Sequence, residues 1–266
     1  MAAKNENAIR PVMVTDDIAF VGDRSVSVHA ILSGEGPILL DTGFPGMLEG
    51  IGESLSSLGL ALKDVPAVIH THGHVDHFGN TAAIVRISGA ETYIGREDAD
   101  IVTGERDLSW AKELGIAPAE SFTPSKVFSD GDVLAIGGRK IRVLHAPGHT
   151  EGTYAFFIGT KVNGVPAVAA MHGGVGLNSM RRAFLLSYGL PLTLRDDFRT
   201  GLRRLAQEKA DVVLGNHPHQ NDTEGKIARM KEGENPFVDP GEWGRFLRNC
   251  ERDLDRMLAE EEEESR

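Results

Sequence analysis

Residues 67–77 read Ala67-Val68-Ile69-His70-Thr71-His72-Gly73-His74-Val75-Asp76-His77. The stretch begins as a short buried strand, residues 67–70, and runs directly into a segment dense in metal-binding side chains. That position matters, because the loops that leave rigid strand ends carry much of the chemistry of α/β proteins. In an extended segment side chains alternate between faces, so His72, His74 and Asp76 point the same way. A turn into helix near His77 brings its ring round as well. One short segment then serves two adjacent metals, with His72 and His74 on one ion and Asp76 and His77 on the other. Imidazole suits zinc, and a carboxylate beside it adds charge for a second ion. Gly73 keeps a side chain from crowding the metals at the turn.

Working outward, strand and helix signals alternate along the whole chain. Strands are expected at 18–22, 26–32 and 37–41, followed by the turn Thr42-Gly43-Phe44-Pro45-Gly46. Within 26–32, Val26, Val28, Ala30 and Leu32 alternate with Ser27, His29 and Ile31, a period-two pattern whose second face is partly polar. A helix is predicted over 47–58, stopped by Gly59. After the histidine segment come a helix at 79–87, a strand at 91–95 and a weakly patterned helix-and-loop region at 97–125. Strands follow at 133–136, 139–145, 153–159 and 165–171, then a helix at 195–209 and a last strand at 211–215. Amphipathic helices near 223–231 and 240–259 finish the chain.

Two successive strand blocks, each trailed by helices, predict an α/β fold of four layers: two mixed sheets packed face to face with helices outside. No linker or repeat divides the sequence, so residues 1–266 are read as a single domain. Its motif-bearing core spans about 18–218, and a C-terminal helical extension covers about 223–266.

Composition limits the function. Net charge is −11, of which −5 lies in residues 251–266. An acidic body lacks the basic footprint of a nucleic-acid binder. No apolar run approaches the roughly 20 residues that span a bilayer, so no membrane role is expected. The first residues lack the apolar core of a secretory signal, and Cys250 is the single cysteine, so the default location is the cytoplasm. The acidic run Glu261–Glu264 is read as a solvated helix end.

The motifs resemble those of the metallo-β-lactamase superfamily. Residues 71–77 resemble its HxHxDH element, and Leu40-Asp41-Thr42-Gly43 its early strand-turn, whose aspartate supports the site from behind the ligands. Residues 146–152, Ala146-Pro147-Gly148-His149-Thr150-Glu151-Gly152, resemble the PGHTxG element. Leu214-Gly215-Asn216-His217-Pro218 resembles the late strand-end histidine. The resemblance implies the αβ/βα sandwich, with His72, His74 and His149 on the first metal and Asp76, His77 and His217 on the second. His219 competes with His217 but lies two residues further from the strand end.

One departure stands out. Many hydrolases of the family carry a metal-bridging aspartate after the strand that follows PGHTxG, whereas here that strand leads into His172-Gly173-Gly174-Val175-Gly176. This resembles the β-lactamase subclass without the bridging carboxylate. It implies a more weakly held second ion and points away from lactonases and glyoxalase-type thioesterases. His172 is read as a strand-end histidine making an ordinary hydrogen bond, with room to approach the metals. The glycine-rich loop gives substrate access or makes a turn.

The resulting expectation is a metallo-hydrolase with two zinc ions, iron and manganese being the other metals the ligands admit. Hydroxide between the metals would attack an acyl carbon of a small-molecule amide or ester, for instance a β-lactam, with Asp76 orienting it and relaying a proton. The alternatives are a lactonase or thioesterase of the glyoxalase II type, or an iron-dependent redox enzyme on the same fold. Cys250 is not expected to be a catalytic thiol. Arg181 and Arg182 are read as solvated charges, with capture of a substrate carboxylate as the other role. Trp110 and Phe122 are read as core, or else as parts of a flap. Trp243, Phe246 and Leu247 dock the last helix on the core or form a homodimer contact.

Overall fold

The computed structural model describes residues 7–265. Its first half contains β1 (Val12–Met13), β2 (Ile18–Phe20), β3 (His29–Ser33), β4 (Gly36–Leu40), α1 (Leu48–Ser57), β5 (Ala67–Ile69), α2 (Val75–Phe78), α3 (Thr81–Ser88), β6 (Glu91–Gly95), α4 (Ala99–Thr103), α5 (Ala111–Leu114) and β7 (Lys126–Phe128). The second half contains β8 (Val133–Ile136), β9 (Arg139–His145), β10 (Tyr154–Val162), β11 (Val165–His172), α6 (Arg182–Ser187), α7 (Leu194–Leu205), β12 (Val212–Leu214), α8 (Thr223–Arg229) and α9 (Glu242–Glu264).

Two mixed sheets result. Strands β1 to β7 lie side by side in chain order, with antiparallel pairing up to β4 and parallel pairing from β4 to β7. The second sheet runs β12-β11-β10-β9-β8, with only the β11–β12 pair parallel.

Period-two alternation explains why the central strands are apolar on both sides. Phe20, Ile31, Leu40 and Ile69 of the first sheet meet Val143, Phe156, Met171 and Leu214 of the second between the sheets. Their neighbours Ala30, Leu39 and Val68 face Ile51 and Leu55 of α1 and Ile84 of α3. On the opposite flank Ala155, Ala170 and Val213 face Phe198 and Leu202 of α7 and Trp243 and Leu247 of α9. The layers are therefore helix, sheet, sheet, helix, as the sequence pattern predicts.

The partly polar face of residues 26–32 is buried: Ile31 lies between the sheets, and His29 packs with its ring edge-on to Phe20, 5.7 Å between centroids. Two local expectations need correction. Directly after the weakly patterned region stands a strand that the sequence pattern does not predict, β7. At three residues, with Val127 exposed, it is too short to show a period. The acidic run is also more than a solvated end, because Glu261 accepts a 2.6 Å bond from Arg195, whose Nε also reaches Met180 O at 2.7 Å. Both side chains of that pair are nearly enclosed, at 12% and 13% exposure. Trp243, 2% exposed and donating its indole N–H to Leu205 O, docks α9 on the core.

Hydrogen bonds between charged groups of this kind contribute about 1.5–3 kcal/mol each. Arg195→Ala is therefore expected to lose about 1–3 kcal/mol in urea unfolding. Glu261→Ala should lose a similar amount, and the double variant less than the sum. A loss within ~0.5 kcal/mol, the usual size for a surface change, would show that the run is merely solvated.

Candidate metal centre

β4, β5, β9, β11 and β12 all end at one edge of the sandwich, and each of the loops leaving them delivers part of the site. Two groups of donors assemble there. His72, His74 and His149 form one, and Asp76, His77 and His217 the other; within each group one donor atom per residue lies within 4.8 Å of the others. All six sequence-derived candidates are thus brought together. The groups adjoin, with the rings of His72 and His77 4.2 Å apart.

The HxHxDH segment divides as its periodicity suggests. His74 precedes α2 in extended conformation, and Asp76 and His77 lie inside that single turn. Gly73 answers a different neighbour from the one anticipated: a Cβ there would press on the side chain of Ile101 at 3.0 Å, not on the metal-facing side.

Asp41 holds this segment from behind. It adopts φ 65°, a left-handed conformation that aspartate tolerates better than most residues. Its carboxylate accepts bonds from Thr71 N at 2.8 Å, Thr71 Oγ1 at 2.9 Å and His77 Nδ1 at 2.7 Å. The Thr71 hydroxyl proton is committed to Asp41, so the 3.0 Å contact between Thr71 Oγ1 and His72 Nδ1 must be donated by the imidazole. The same polarity recurs elsewhere. His149 Nδ1 donates to Gly176 O and His217 Nδ1 donates to Ser25 O, each at 2.7 Å. Four rings therefore have Nδ1–H anchored on oxygen, which leaves Nε2 facing the centre. Anchoring of this type fixes tautomer and orientation in histidines that bind metal.

The electrostatics match a cation site. Nε2 of His72 and of His77 are buried without a hydrogen-bond partner. Burial, then the neighbouring histidines, keep His72 and His74 well below the usual imidazole range, and burial brings His149 down to about 4. These are neutral rings with lone pairs to offer. Burial also acts against charge at His77 and Asp76 but loses there. Asp76 and Asp41 raise His77 to about 10, and the surrounding histidines, His77 foremost, hold Asp76 well below the carboxylate range. Asp76 Oδ2 lies 3.3 Å from His77 Nε2 and 3.4 Å from His217 Nε2. The enclosed Asp76 carboxylate thus demands positive charge where Nε2 of His77 points, and a metal ion would meet that demand in place of a proton.

The other sequence-derived residues fall outside both groups. His172 is buried at the end of β11, where its Nδ1 accepts from Gly174 N at 3.3 Å. The ring of His219 lies 5.6 Å from that of His217. The glycine-rich loop holds a ligand candidate rather than opening a path: a Cβ on Gly174 would stand 2.5 Å from the ring of His149. Arg181 lies 3.5 Å from Glu260. Phe122 stacks near His70 and Phe78. Trp110 lies at the site, 5.5 Å from the ring of His74. Cys250 is buried, which pushes its thiol up to about 12 and makes it unreactive at neutral pH.

Sequence reading missed Asp98. It sits fully buried beside α4 and accepts bonds from Gly73 N and Gly152 N at 2.8 Å and Thr150 Oγ1 at 2.7 Å. It therefore ties the loop of His72 and His74 to the loop of His149. Burial raises its carboxyl to about 6, against the pull of those bonds and of Arg106. One acid among Glu97, Asp98 and Asp100 in a weakly patterned stretch carries no signal of such a role.

Comparison with known proteins follows the same lines. The family model described as the metallo-beta-lactamase superfamily matches residues 21–162, just over half of the chain. A subclass B3 metallo-beta-lactamase of Bradyrhizobium japonicum superposes with TM-score 0.88 at 26% identity, with 100% of each chain covered. A hydroxyacylglutathione hydrolase of Haemophilus influenzae is 28% identical over 145 residues, 54% of this chain and 66% of that protein. An acyl-coenzyme A thioesterase of Bos taurus is 27% identical over 154 residues, 50% of this chain and 53% of that protein. The chain spans 44% to 66% of the length of the curated relatives first matched.

Loss of a partner behind a metal ligand typically weakens metal affinity about 10–100-fold. Asp41→Asn, which keeps the left-handed turn accessible, is expected to weaken zinc binding by that factor in competition with a chromophoric chelator. An unchanged constant would mean that Asp41 does not govern the ligands. Asp98→Ala leaves three enclosed donors unsatisfied and is expected to cost about 2–4 kcal/mol in chemical denaturation. A loss below ~1 kcal/mol would show that water replaces the carboxylate.

Proposed function

The chain belongs to the metallo-β-lactamase superfamily, and on that footing we propose that this hydrolase uses two zinc ions to cleave an amide or ester of a small molecule. The observation that carries the reading is that the buried Nε2 atoms of His72 and His77 make no hydrogen bond, with the Asp76 carboxylate 3.3 Å from that of His77. His72, His74 and His149 would hold one ion, and Asp76, His77 and His217 the other. Nitrogen and carboxylate donors in sets of three, with every ring anchored at Nδ1 except that of His74, suit zinc; iron and manganese fit the donors less specifically. Bound there, such ions supply Lewis acidity toward an acyl carbonyl and acidify water to near-neutral pKa.

The protein's own groups do the rest. Asp76, kept ionised among the histidines, orients the attacking water through its carboxylate and takes up the proton released on attack. It can then return that proton to the leaving atom. Asp41 holds His77 and, through Thr71, His72, so that neither ring turns as charge develops. Trp110 flanks the site on the side of His74, its ring 5.5 Å from that imidazole.

Thioester cleavage is a second reading. It is favoured by the hydroxyacylglutathione hydrolase and the acyl-coenzyme A thioesterase among the relatives, although a bridging aspartate is absent after β11. A β-lactam is the substrate favoured by the structural likeness to the B3 enzyme.

Elemental analysis of protein purified without added metal is expected to give close to two zinc ions per chain, and fewer in His149→Ala. Hydrolysis of a panel of lactams, lactones, esters and thioesters should fall at least ~100-fold in that variant, since even outer partners are worth 10–100-fold. One iron per chain with oxygen consumption would replace this reading by a redox one. No bound metal after reconstitution would end it.

A further inference from the structure

Asp41 orients a ring in each donor group, so whatever holds Asp41 acts on both. The turn that begins with it takes positive φ at Asp41, Gly43 and Gly46, at 65°, 72° and 94°. A side chain in that region keeps its place where the surroundings impose it. Those surroundings are residues 77–81, which follow the last ligand of the HxHxDH segment. Thr42 N donates to His77 O at 2.8 Å, and Gly79 N donates to Gly43 O at 3.0 Å. The two backbones are pressed together there: a Cβ on Gly79 would stand 2.3 Å from Pro45 N. Asn80, buried at 5% exposure, completes the grip. Its Nδ2 donates to Thr42 O at 2.6 Å and to Phe44 O at 2.7 Å, and its Oδ1 accepts from Gly46 N at 3.2 Å. Carbonyls only accept and a backbone N–H only donates, so a single orientation of the amide satisfies all three. Asn80 stands at the N-cap of α3, where an asparagine side chain ordinarily bonds to its own helix. It makes no such bond, and its polar atoms go to residues 42–46 instead.

A second arm starts at His70, fully buried just after β5. Its Nδ1 must donate to Tyr93 O at 2.9 Å, since the carbonyl has no proton to give. Enclosed, with no carboxylate bonded to it, the ring is neutral. Its Nε2 therefore accepts from Thr81 Oγ1 at 2.8 Å. The Thr81 proton is then spent, and at the 3.0 Å contact with Thr42 the Thr42 hydroxyl donates, in preference to His77 O at 3.3 Å. The same Thr42 oxygen accepts from Asn80 N at 3.3 Å, which joins the two arms. A directed chain thus runs from the turn of Asp41 through Thr42, Thr81 and His70 to the backbone of β6.

We propose that Asn80 and His70 are positioning residues of the metal centre: Asn80 grips residues 42–46, His70 fixes the hydroxyl chain that ends on Thr42, and together they set where the Asp41 carboxylate meets Thr71 and His77. The proposal rests on the two-metal reading above and deepens it. Neither side chain bonds to any of the six donor side chains, so the effect of each passes through Asp41. A turn that slid along residues 77–81 would carry the carboxylate away from the His77 ring and from Thr71, and would release the rings of His77 and His72 to rotate.

The test is zinc affinity, read by competition with a chromophoric chelator, in Asn80→Ala, His70→Leu and the shape-conserving Thr81→Val, each shown by urea unfolding to be folded. A direct partner of a ligand is worth about 10–100-fold, so Asn80→Ala, one step further back, should weaken binding about tenfold. His70→Leu and Thr81→Val should match each other, at or somewhat below that factor. Each change is then combined with Asp41→Asn. An effect that passes through Asp41 vanishes in that background, so each double variant should bind no more weakly than Asp41→Asn alone. Imidazole-selective proton–nitrogen NMR on metal-free protein supplies a second readout. The His77 Nδ1–H signal, downfield through its bond to Asp41, should move upfield in Asn80→Ala. Unchanged zinc constants, an unchanged His77 signal, or factors that multiply in full with that of Asp41→Asn would each overturn the proposal and leave the two-metal reading standing. A wild-type protein that takes up no zinc would overturn the metal reading instead, and the His77 signal would then decide the positioning role by itself.

Discussion

The Asp41 carboxylate is the constraint on which the candidate site depends. It lies at the end of β4, in a left-handed turn, and takes three hydrogen bonds from the segment that leaves β5. Parallel pairing of β4 with β5 puts the two strand ends side by side, so that the bonds are short without any long excursion of the chain. Through Thr71 the carboxylate sets the tautomer of His72, and directly it sets that of His77. One buried group thereby orients a ring in each donor group. Burial of a charge is costly unless it is hydrogen-bonded. Asp41 meets that condition only when the HxHxDH segment is in place, so strand pairing and ligand geometry form together.

Further anchors fix the remaining arms. Gly176 O and Ser25 O hold His149 and His217, and Asp98 bonds the loops before and after the first group to each other. These partners come from different strand ends, so the centre exists only when both sheets are assembled. The result is an edge that concentrates lone pairs and negative charge away from bulk water. That is a poor arrangement for the bare protein and a good one for a protein holding metal. Metal binding and folding should therefore be linked, since an ion that binds only the native state stabilises it.

Outside the donors, acidic groups near the site are paired with arginines: Glu151, which lines the hollow beside His149, with Arg106, and Glu261 at the end of α9 with Arg195. The Glu261 pair also reaches back to the segment before α6, through Met180 O. The C-terminal helix is thus bonded to that segment although it carries none of the donors.

Much of this was legible in the chain. Apolar alternation placed the strands to within three residues, except the short β1 and β7, and twofold burial of β4, β5, β10 and β12 made them apolar on both faces, which is what a four-layer sandwich requires. The density of His72, His74, Asp76 and His77 after a buried strand was informative in itself, and the resemblance of the four motifs to the family's elements added His149 and His217. The roles of other residues were not legible. Asp98 and the carbonyls of Ser25 and Gly176 act through backbone geometry and across gaps in sequence that no local pattern spans. The glycine-rich loop reads as substrate access or a turn, and its packing against the His149 ring depends on what stands 2.5 Å from Gly174. The sequence by itself determined the donor types, their order and the sheet-and-helix pattern, since these follow from side-chain chemistry and local periodicity. Only the tertiary structure decided which nitrogen of each ring faces the centre, because that depends on contacts between segments far apart in the chain.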